Sequence, residues 1–193
     1  MVVKGAARTE EIRRAALELF TQQGYEATTM ADIGNWVGIR GPSLYKHVTC
    51  KQELLVQIMA GTMNSLLTEH DRAIAGTDDP NERLRRAVEA HVRYHARHRL
   101  EAFVGNREIR SLEDPYRAKI LAQRAKYEAK FRKLITDGVA VAKFHVASPR
   151  LASYAILDLG MGLAAWFRED GELSENEITW QYIDFALRLV GAG

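Results

Sequence analysis

At 193 residues the chain is long enough to bury a substantial core or to divide into two small ones. With 47% hydrophobic and 27% charged residues it has the make-up of a folded globular protein, which excludes a disordered tract, while no apolar run nears the ~18 to 20 residues of a membrane span and a single cysteine excludes an intramolecular disulfide. The net charge of +2 is unevenly spread: residues 1–51 carry +2, 52–90 carry −3, 91–133 carry +7 and 134–193 carry −4, so the basic character lies in the middle of the chain.

Met1 to Ala7 leaves no room for the apolar stretch of a secretion signal, so a cytoplasmic protein with no membrane association is expected. Thr9, followed by Glu10 and Glu11, reads as the first helix start, and Ile12, Ala16, Leu19 and Phe20 supply its apolar face. Thr29 with Asp32, and then Thr49 with Gln52, have the spacing of capping boxes. Asp79-Pro80, with Glu82 behind it, marks another start, as do Asp114-Pro115 and Ser148-Pro149. A proline at the first helical position loses no hydrogen bond, because that N–H has no partner anyway. Ser174 with Glu177 closes the series, leading into Ile178, Tyr182, Phe185 and Leu189 at helical spacing. Only Val139 to Val146 alternates as a strand would.

The expected helices are 9–23, 29–36, 42–48, 50–75, 80–97, 100–111, 115–137, 149–168 and 175–190: an all-α fold of about nine helices. Cys50 reads as a small residue early in a helix and carries no chemistry.

The segment from Thr29 to Val48 has the layout of a helix-turn-helix, with a capped helix, a glycine at Gly38 where the chain must turn, and a short second helix. Ile33, Val37, Leu44 and Val48 are spaced to pack on Phe20, which leaves the opposite face free. That face carries Ser43, Lys46 and His47, with Arg40 before it and Tyr45 beside it. These side chains can donate to phosphates and to base edges in a major groove. Thr29 joins this DNA-binding set, and Lys51, behind Thr49, is expected to share a phosphate with the free N–H groups of its own helix.

The stretches Gly24-Tyr-Glu-Ala-Thr-Thr-Met-Ala-Asp-Ile, Val37-Gly-Ile, Pro42-Ser-Leu-Tyr-Lys-His-Val and Lys51-Gln-Glu-Leu-Leu resemble the N-terminal domain of the TetR family of repressors. Val48 stands where phenylalanine is usual, Thr49-Cys50 where Pro-Ser is usual and Trp36 where a small or polar residue is frequent, which leaves the operator sequence open. The resemblance implies an N-terminal three-helix DNA-binding domain at 1–51 and a C-terminal helical effector-binding and dimerisation domain at 52–193. It also implies a homodimeric repressor on palindromic double-stranded operator DNA, released by a small-molecule effector.

Within the C-terminal part, Arg107 and Arg110, and then Arg124 and Tyr127, are spaced i,i+3, with Phe103, Phe131, Met161 and Trp166 as candidate apolar lining. Guanidinium groups beside an apolar cavity suit an acyl chain ending in phosphates. Asn106-Arg-Glu-Ile-Arg-Ser-Leu, Arg124-Ala-Lys-Tyr-Glu and Gly162-x-x-x-Trp166-Phe resemble regulators that respond to acyl-coenzyme A thioesters of lipid or steroid catabolism. The small residues of the last two helices, Ala155 and Gly162 among them, with Trp180, Phe185 and Leu189, suit an intermolecular four-helix bundle.

His91, His95 and His98 recur at i, i+4 and i+7, yet neighbouring arginines and the lack of arranged carboxylates point to structural or ligand-contacting imidazoles rather than a metal site. There is no nucleophile elbow and no phosphate-binding glycine loop, so neither an enzyme nor a cofactor is expected. A helical interaction adaptor that does not read DNA is the remaining alternative, and the Ser43-Lys46-His47 face with Lys51 discriminates the two.

Overall fold

In the computed structural model residues 2–192 are described, with side chains from Ala6 onward. They form α1 (Val2–Gln23), α2 (Met30–Trp36), α3 (Gly41–Leu44), α4 (Lys51–Ala73), α5 (Pro80–Arg97), α6 (Arg99–Arg107), α7 (Tyr116–Ala140), α8 (Pro149–Trp166) and α9 (Glu175–Leu189), with one 3-10 turn at Ile109–Ser111. No strand occurs among the described residues, and none of their helices is long and apolar enough to cross a membrane.

The punctuation behaves as local chemistry requires at most starts. Thr29 and Ser174 form complete capping boxes with Asp32 and Glu177, and Asp79 and Ser148 accept from the backbone N–H three residues on. Four expectations are corrected. The first helix runs through Thr9 to Val2, since Ala6 and Ala7 favour helix and no proline precedes them. Thr49 pairs with Glu53 rather than Gln52, its N–H and hydroxyl both donating to Glu53 Oε2 at 2.7 and 2.8 Å, because α4 begins one residue later than the spacing implied. Pro115 precedes α7 rather than opening it. Residues 139–146 finish α7 and turn, with the Lys143 and Phe144 N–H groups both donating to the Gly138 carbonyl.

The chain divides into two compact units, Met1–Thr62 with Leu100–Leu121, and Met63–Arg99 with Ala122–Gly193. This differs from a division at 51/52. The segment 100–121 buries Val104, Leu112 and Ile120 in the same core as the first three helices, so burial overrides chain order.

In the first unit Phe20 is fully buried among Ile12, Ala16, Ile33, Leu44, Val48, Leu54 and Ile58, with Val37 half-buried at the margin. The helix-turn-helix residues spaced for Phe20 are thus on its core side. Gly38 takes φ +68°, as the turn demands, and Gly34 lets the turn close: a Cβ there would lie 2.8 Å from the Ile39 carbonyl oxygen.

In the second unit α5 is the central element, packed on α8 and α9. Its face Leu84, Val88 and Val92 joins Phe131, Ile135, Phe144, Ile156, Leu163, Ile178 and Ile183 in one core, where each large side chain taken from water contributes ~1.5 to 3 kcal/mol. Polar ties register the helices: Lys130 Nζ donates to Asp71 at 2.6 Å, Ser153 Oγ to Glu128 at 2.6 Å, and Arg93 and Arg97 both grip Glu175.

Candidate nucleic-acid interface and the core of the second unit

The sequence places Arg40, Ser43, Tyr45, Lys46 and His47 on one reading surface, and all but the half-buried His47 are exposed. No hydrogen bond among the described residues holds any of these five side chains. Arg40 is the extended N-cap of α3 and spends nothing on capping. Regular α-helix covers only Gly41–Leu44. The chain then tightens, with His47 N–H donating to the Leu44 carbonyl at 2.9 Å, so Tyr45 to His47 form a closing turn rather than a further helical turn as the expected span 42–48 implied. The surface is held from beneath by Leu44 and Val48 and from the side by Arg8, which donates to the Val37 carbonyl at 3.1 Å.

Two of the residues expected to face DNA are committed elsewhere. The Thr29 hydroxyl and N–H serve the Asp32 carboxylate at 2.7 and 2.8 Å, which holds that carboxyl below its usual pKa. The Lys51 ammonium donates to the carbonyls of Tyr25 at 2.6 Å, Thr28 at 2.8 Å and Glu26 at 3.4 Å, and lies 4.2 Å from the centre of the Tyr25 ring. Those carbonyls lie past the end of α1, where the backbone has run out of helical donors, and a long flexible ammonium satisfies several at once. The structural role of Lys51 is therefore to clamp the turn that leads into α2.

The same turn carries residues that periodicity does not reveal. Tyr25 is buried, its N–H donating to Glu108 Oε1 at 3.4 Å and its hydroxyl accepting from Gln52 Nε2 at 2.9 Å; burial raises its pKa. Gln52 Nε2 also donates to the Ser111 carbonyl at 2.9 Å, and the Ser111 hydroxyl donates to Glu108 Oε2 at 3.0 Å. A buried acid between two arginines in sequence gives no hint of such a partner.

The eight residues expected to line an effector pocket fall in different units. Phe103, Arg107 and Arg110 belong to the first unit and Arg124, Tyr127, Phe131, Met161 and Trp166 to the second. Arg107 and Arg110 do not share a helix: α6 ends at Arg107, which sits 5.7 Å over Phe103 and 3.5 Å from the Glu108 carboxylate, while Arg110 is in the 3-10 turn. Arg124 and Tyr127 do share α7. Arg124 is half-buried, and desolvation lowers its pKa. Met161 is half-buried and Trp166 exposed.

Tyr127 and Phe131 are core residues rather than lining, stacked edge-on at 5.4 Å. Beside them His91 is fully enclosed. Its Nε2–H donates to the Leu157 carbonyl at 3.1 Å, so Nδ1 is left to accept from the Tyr127 hydroxyl, also at 3.1 Å. His95 Nδ1–H donates to the His91 carbonyl at 2.9 Å, and His70 packs 5.3 Å from Phe131. Gly160 makes the room: a Cβ there would fall 2.2 Å from His91 Cδ2. Burial drives His91 well below its ordinary pKa, lowers His70 and brings His95 down to about 4. His98 is exposed, and among the described residues no set of three His, Cys, Asp or Glu could hold a metal.

Of the residues expected to pair two copies, Trp180, Phe185 and Leu189 are exposed on α9 while Ala155 and Gly162 are half-buried on α8. Ala155, Leu159, Phe185 and Leu189, with Asp158, line one open apolar depression.

Comparison with known proteins agrees with this geometry. The model described as bacterial regulatory proteins, tetR family, matches residues 12–58, and that described as tetracyclin repressor-like, C-terminal domain, matches residues 77–190. The chain is 25% identical over 183 residues to the HTH-type transcriptional repressor KstR2 of Mycobacterium tuberculosis (strain ATCC 25618 / H37Rv), covering 94% of this chain and 92% of that one. A bacterial regulatory protein in the tetR family from Rhodococcus RHA1 superposes with a TM-score of 0.90 at 31% identity, over 96% of this chain and 97% of the other. AibR, solved in complex with isovaleryl coenzyme A and operator DNA, superposes with a TM-score of 0.85 at 23% identity, over 96% of this chain and 100% of that one, a likeness of fold.

Proposed function

This chain belongs to the tetR family of bacterial regulatory proteins, and from that premise we propose that it is a cytoplasmic, ligand-responsive transcriptional repressor that binds a palindromic operator as a homodimer. The observation that carries the reading is the exposed row Arg40, Ser43, Tyr45 and Lys46, free of internal hydrogen bonds on a helix-turn-helix whose other face is fully committed to the core. In a major groove these side chains would meet phosphates and base edges, with His47 at the margin. The α8–α9 face with Phe185 and Leu189 supports pairing, since an apolar patch of this kind on a monomer marks an interaction surface, and a two-fold dimer matches a two-fold operator.

For the effector we propose an acyl-coenzyme A thioester. The complex of AibR with isovaleryl coenzyme A supports that class. Within the second unit Arg124, half-buried on α7 one turn before Tyr127, is the cation we assign to its phosphates, since a guanidinium matches phosphate oxygens two at a time. Such a ligand acts only if it favours the state that does not bind DNA.

The test is a titration of the full chain against the duplex upstream of its own gene and a scrambled duplex at fixed salt, repeated with acyl-coenzyme A thioesters of graded chain length and with free coenzyme A. A preference of ~10³-fold or more for the native duplex is expected, lost on adding one of the thioesters. Equal binding to both duplexes overturns the DNA-reading role and favours the adaptor. Native-duplex binding that no thioester weakens overturns the effector class alone.

A further inference from the structure

We propose that His70 is an effector-binding residue whose Nε2 accepts a hydrogen bond from a hydroxyl on the otherwise apolar part of the ligand. This rests on the ligand-responsive reading given above and names the group that the second unit recognises.

His70 sits on α4 and is only 2% exposed. Its Nδ1 lies 3.2 Å from Asp71 Oδ1, on an exposed carboxylate that also accepts from Lys130. A carboxylate can only accept, so Nδ1 carries the proton and Nε2, across the ring, offers a lone pair. Burial keeps the imidazole neutral against the pull of Asp71, and the charges of Lys130 and Arg83 act in the same direction as burial. With Nδ1 held towards the surface, Nε2 turns inward, where it is sealed from solvent and meets no hydrogen-bond partner. The Phe131 and Tyr127 rings stand 5.3 and 6.1 Å away, centre to centre. The donors beside them are spent: the Tyr127 hydroxyl on His91 Nδ1, the His91 Nε2–H on the Leu157 carbonyl and the His95 Nδ1–H on the His91 carbonyl. A buried acceptor without a donor costs stability, and cores keep few of them.

The occupant follows from what these surroundings refuse. A charged donor would lose its water against aromatic walls, which is costly. An amide brings a carbonyl that needs a donor of its own, and the Tyr127 proton is already given to His91. A water held by Nε2 leaves its second O–H facing aromatic carbon. A hydroxyl on an acyl chain or ring brings a single O–H and carries carbon where water has the other. It therefore satisfies Nε2 while burying apolar surface beside Phe131 and Tyr127. The way in is the seam between α4 and α7, closed outside by two exposed polar ties, Lys130 to Asp71 and Gln123 to Asn64 at 2.9 Å, which part at little cost.

The experiment uses the full chain labelled with nitrogen-15 histidine, the His70 Nε2 resonance being assigned by its loss in His70→Phe. The probes are two matched pairs: octanol with methyl octyl ether, which keeps the oxygen but not the proton, and octanoyl-coenzyme A with and without a hydroxyl on the chain. The hydroxylated member of each pair is expected to bind about ten-fold tighter and to move the Nε2 resonance, which its partner leaves in place. In His70→Phe the preference should fall below about two-fold, whereas in His70→Gln, whose carbonyl still accepts, it should stay above about three-fold. If neither variant folds, the wild-type resonance and the wild-type affinities decide. An Nε2 resonance that neither hydroxylated probe moves, equal affinity within both pairs, or a preference that survives in His70→Phe overturns the assignment. Octanol recognised through His70 with neither thioester bound overturns the coenzyme A class alone. Thioesters that bind equally well with and without the hydroxyl, while Nε2 stays unmoved by any probe, overturn the role of His70 alone.

Discussion

The Lys51 ammonium stands 2.6 Å from the Tyr25 carbonyl oxygen, with its remaining donors on Thr28 and Glu26. A cation so occupied holds the turn before α2 and has little left for a phosphate. Lys51→Met, which keeps the stem and removes the donors, should lower stability by about 1 to 3 kcal/mol in urea unfolding. A lost phosphate contact would also lower the salt slope of DNA binding by ~0.9; the clamp predicts a weaker complex with the slope unchanged.

Gly34→Ala places a methyl carbon where the Ile39 carbonyl already lies, 2.8 Å away. The turn between α2 and α3 must shift to admit it, at a cost of about 1 to 3 kcal/mol. Circular dichroism should show helical content retained while sequence-specific DNA binding falls at least ten-fold, because the displaced element is the one that carries Arg40 to Lys46.

Acid should weaken the second unit. His95 titrates near 6.5 when unfolded and is brought down to about 4 by burial, and His91 and His70 move in the same direction. The unfolded chain therefore binds more protons through this window. The stabilisation is complete above about pH 6.5 and is lost as the pH falls towards 4, with His95 alone worth about 3 kcal/mol. Urea midpoints at pH 7.5, 6 and 5 check the trend, and His95→Leu should make it shallower while leaving the part due to His91 and His70. A midpoint that rises on acidification would contradict the neutral imidazoles.

Phe185→Glu together with Leu189→Glu puts charge on the exposed apolar face of α9. Sedimentation should find wild type near twice the chain mass and the double variant at one chain mass, with the melting temperature of dilute samples little altered. A variant that still sediments as a dimer would move the interface away from this face.

The parts of the molecule written in local chemistry were legible before any coordinates. Thr29 with Asp32, Ser174 with Glu177 and the apolar spacing from Ile12 to Phe20 depend on neighbours three or four residues away, and each stands as read. The role of Lys51 was not legible, because the carbonyls it serves converge only once the chain has turned after α1. Glu108 was hidden for the same reason: its partner Tyr25 lies 83 residues away in the chain. Arg107 and Arg110 look like a pair on paper and are separated by the end of α6 at Arg107.

Gly160 and His91 carry a consequence for descent. No L-residue with a Cβ fits at 160 while the imidazole remains at 91, and without that imidazole the buried Tyr127 hydroxyl has nowhere to donate. The two positions, 69 residues apart in the chain, constrain each other through this contact. Lineages that keep the histidine must keep the glycine, so a side chain at 160 should occur among the relatives of this protein only where residue 91 has changed as well.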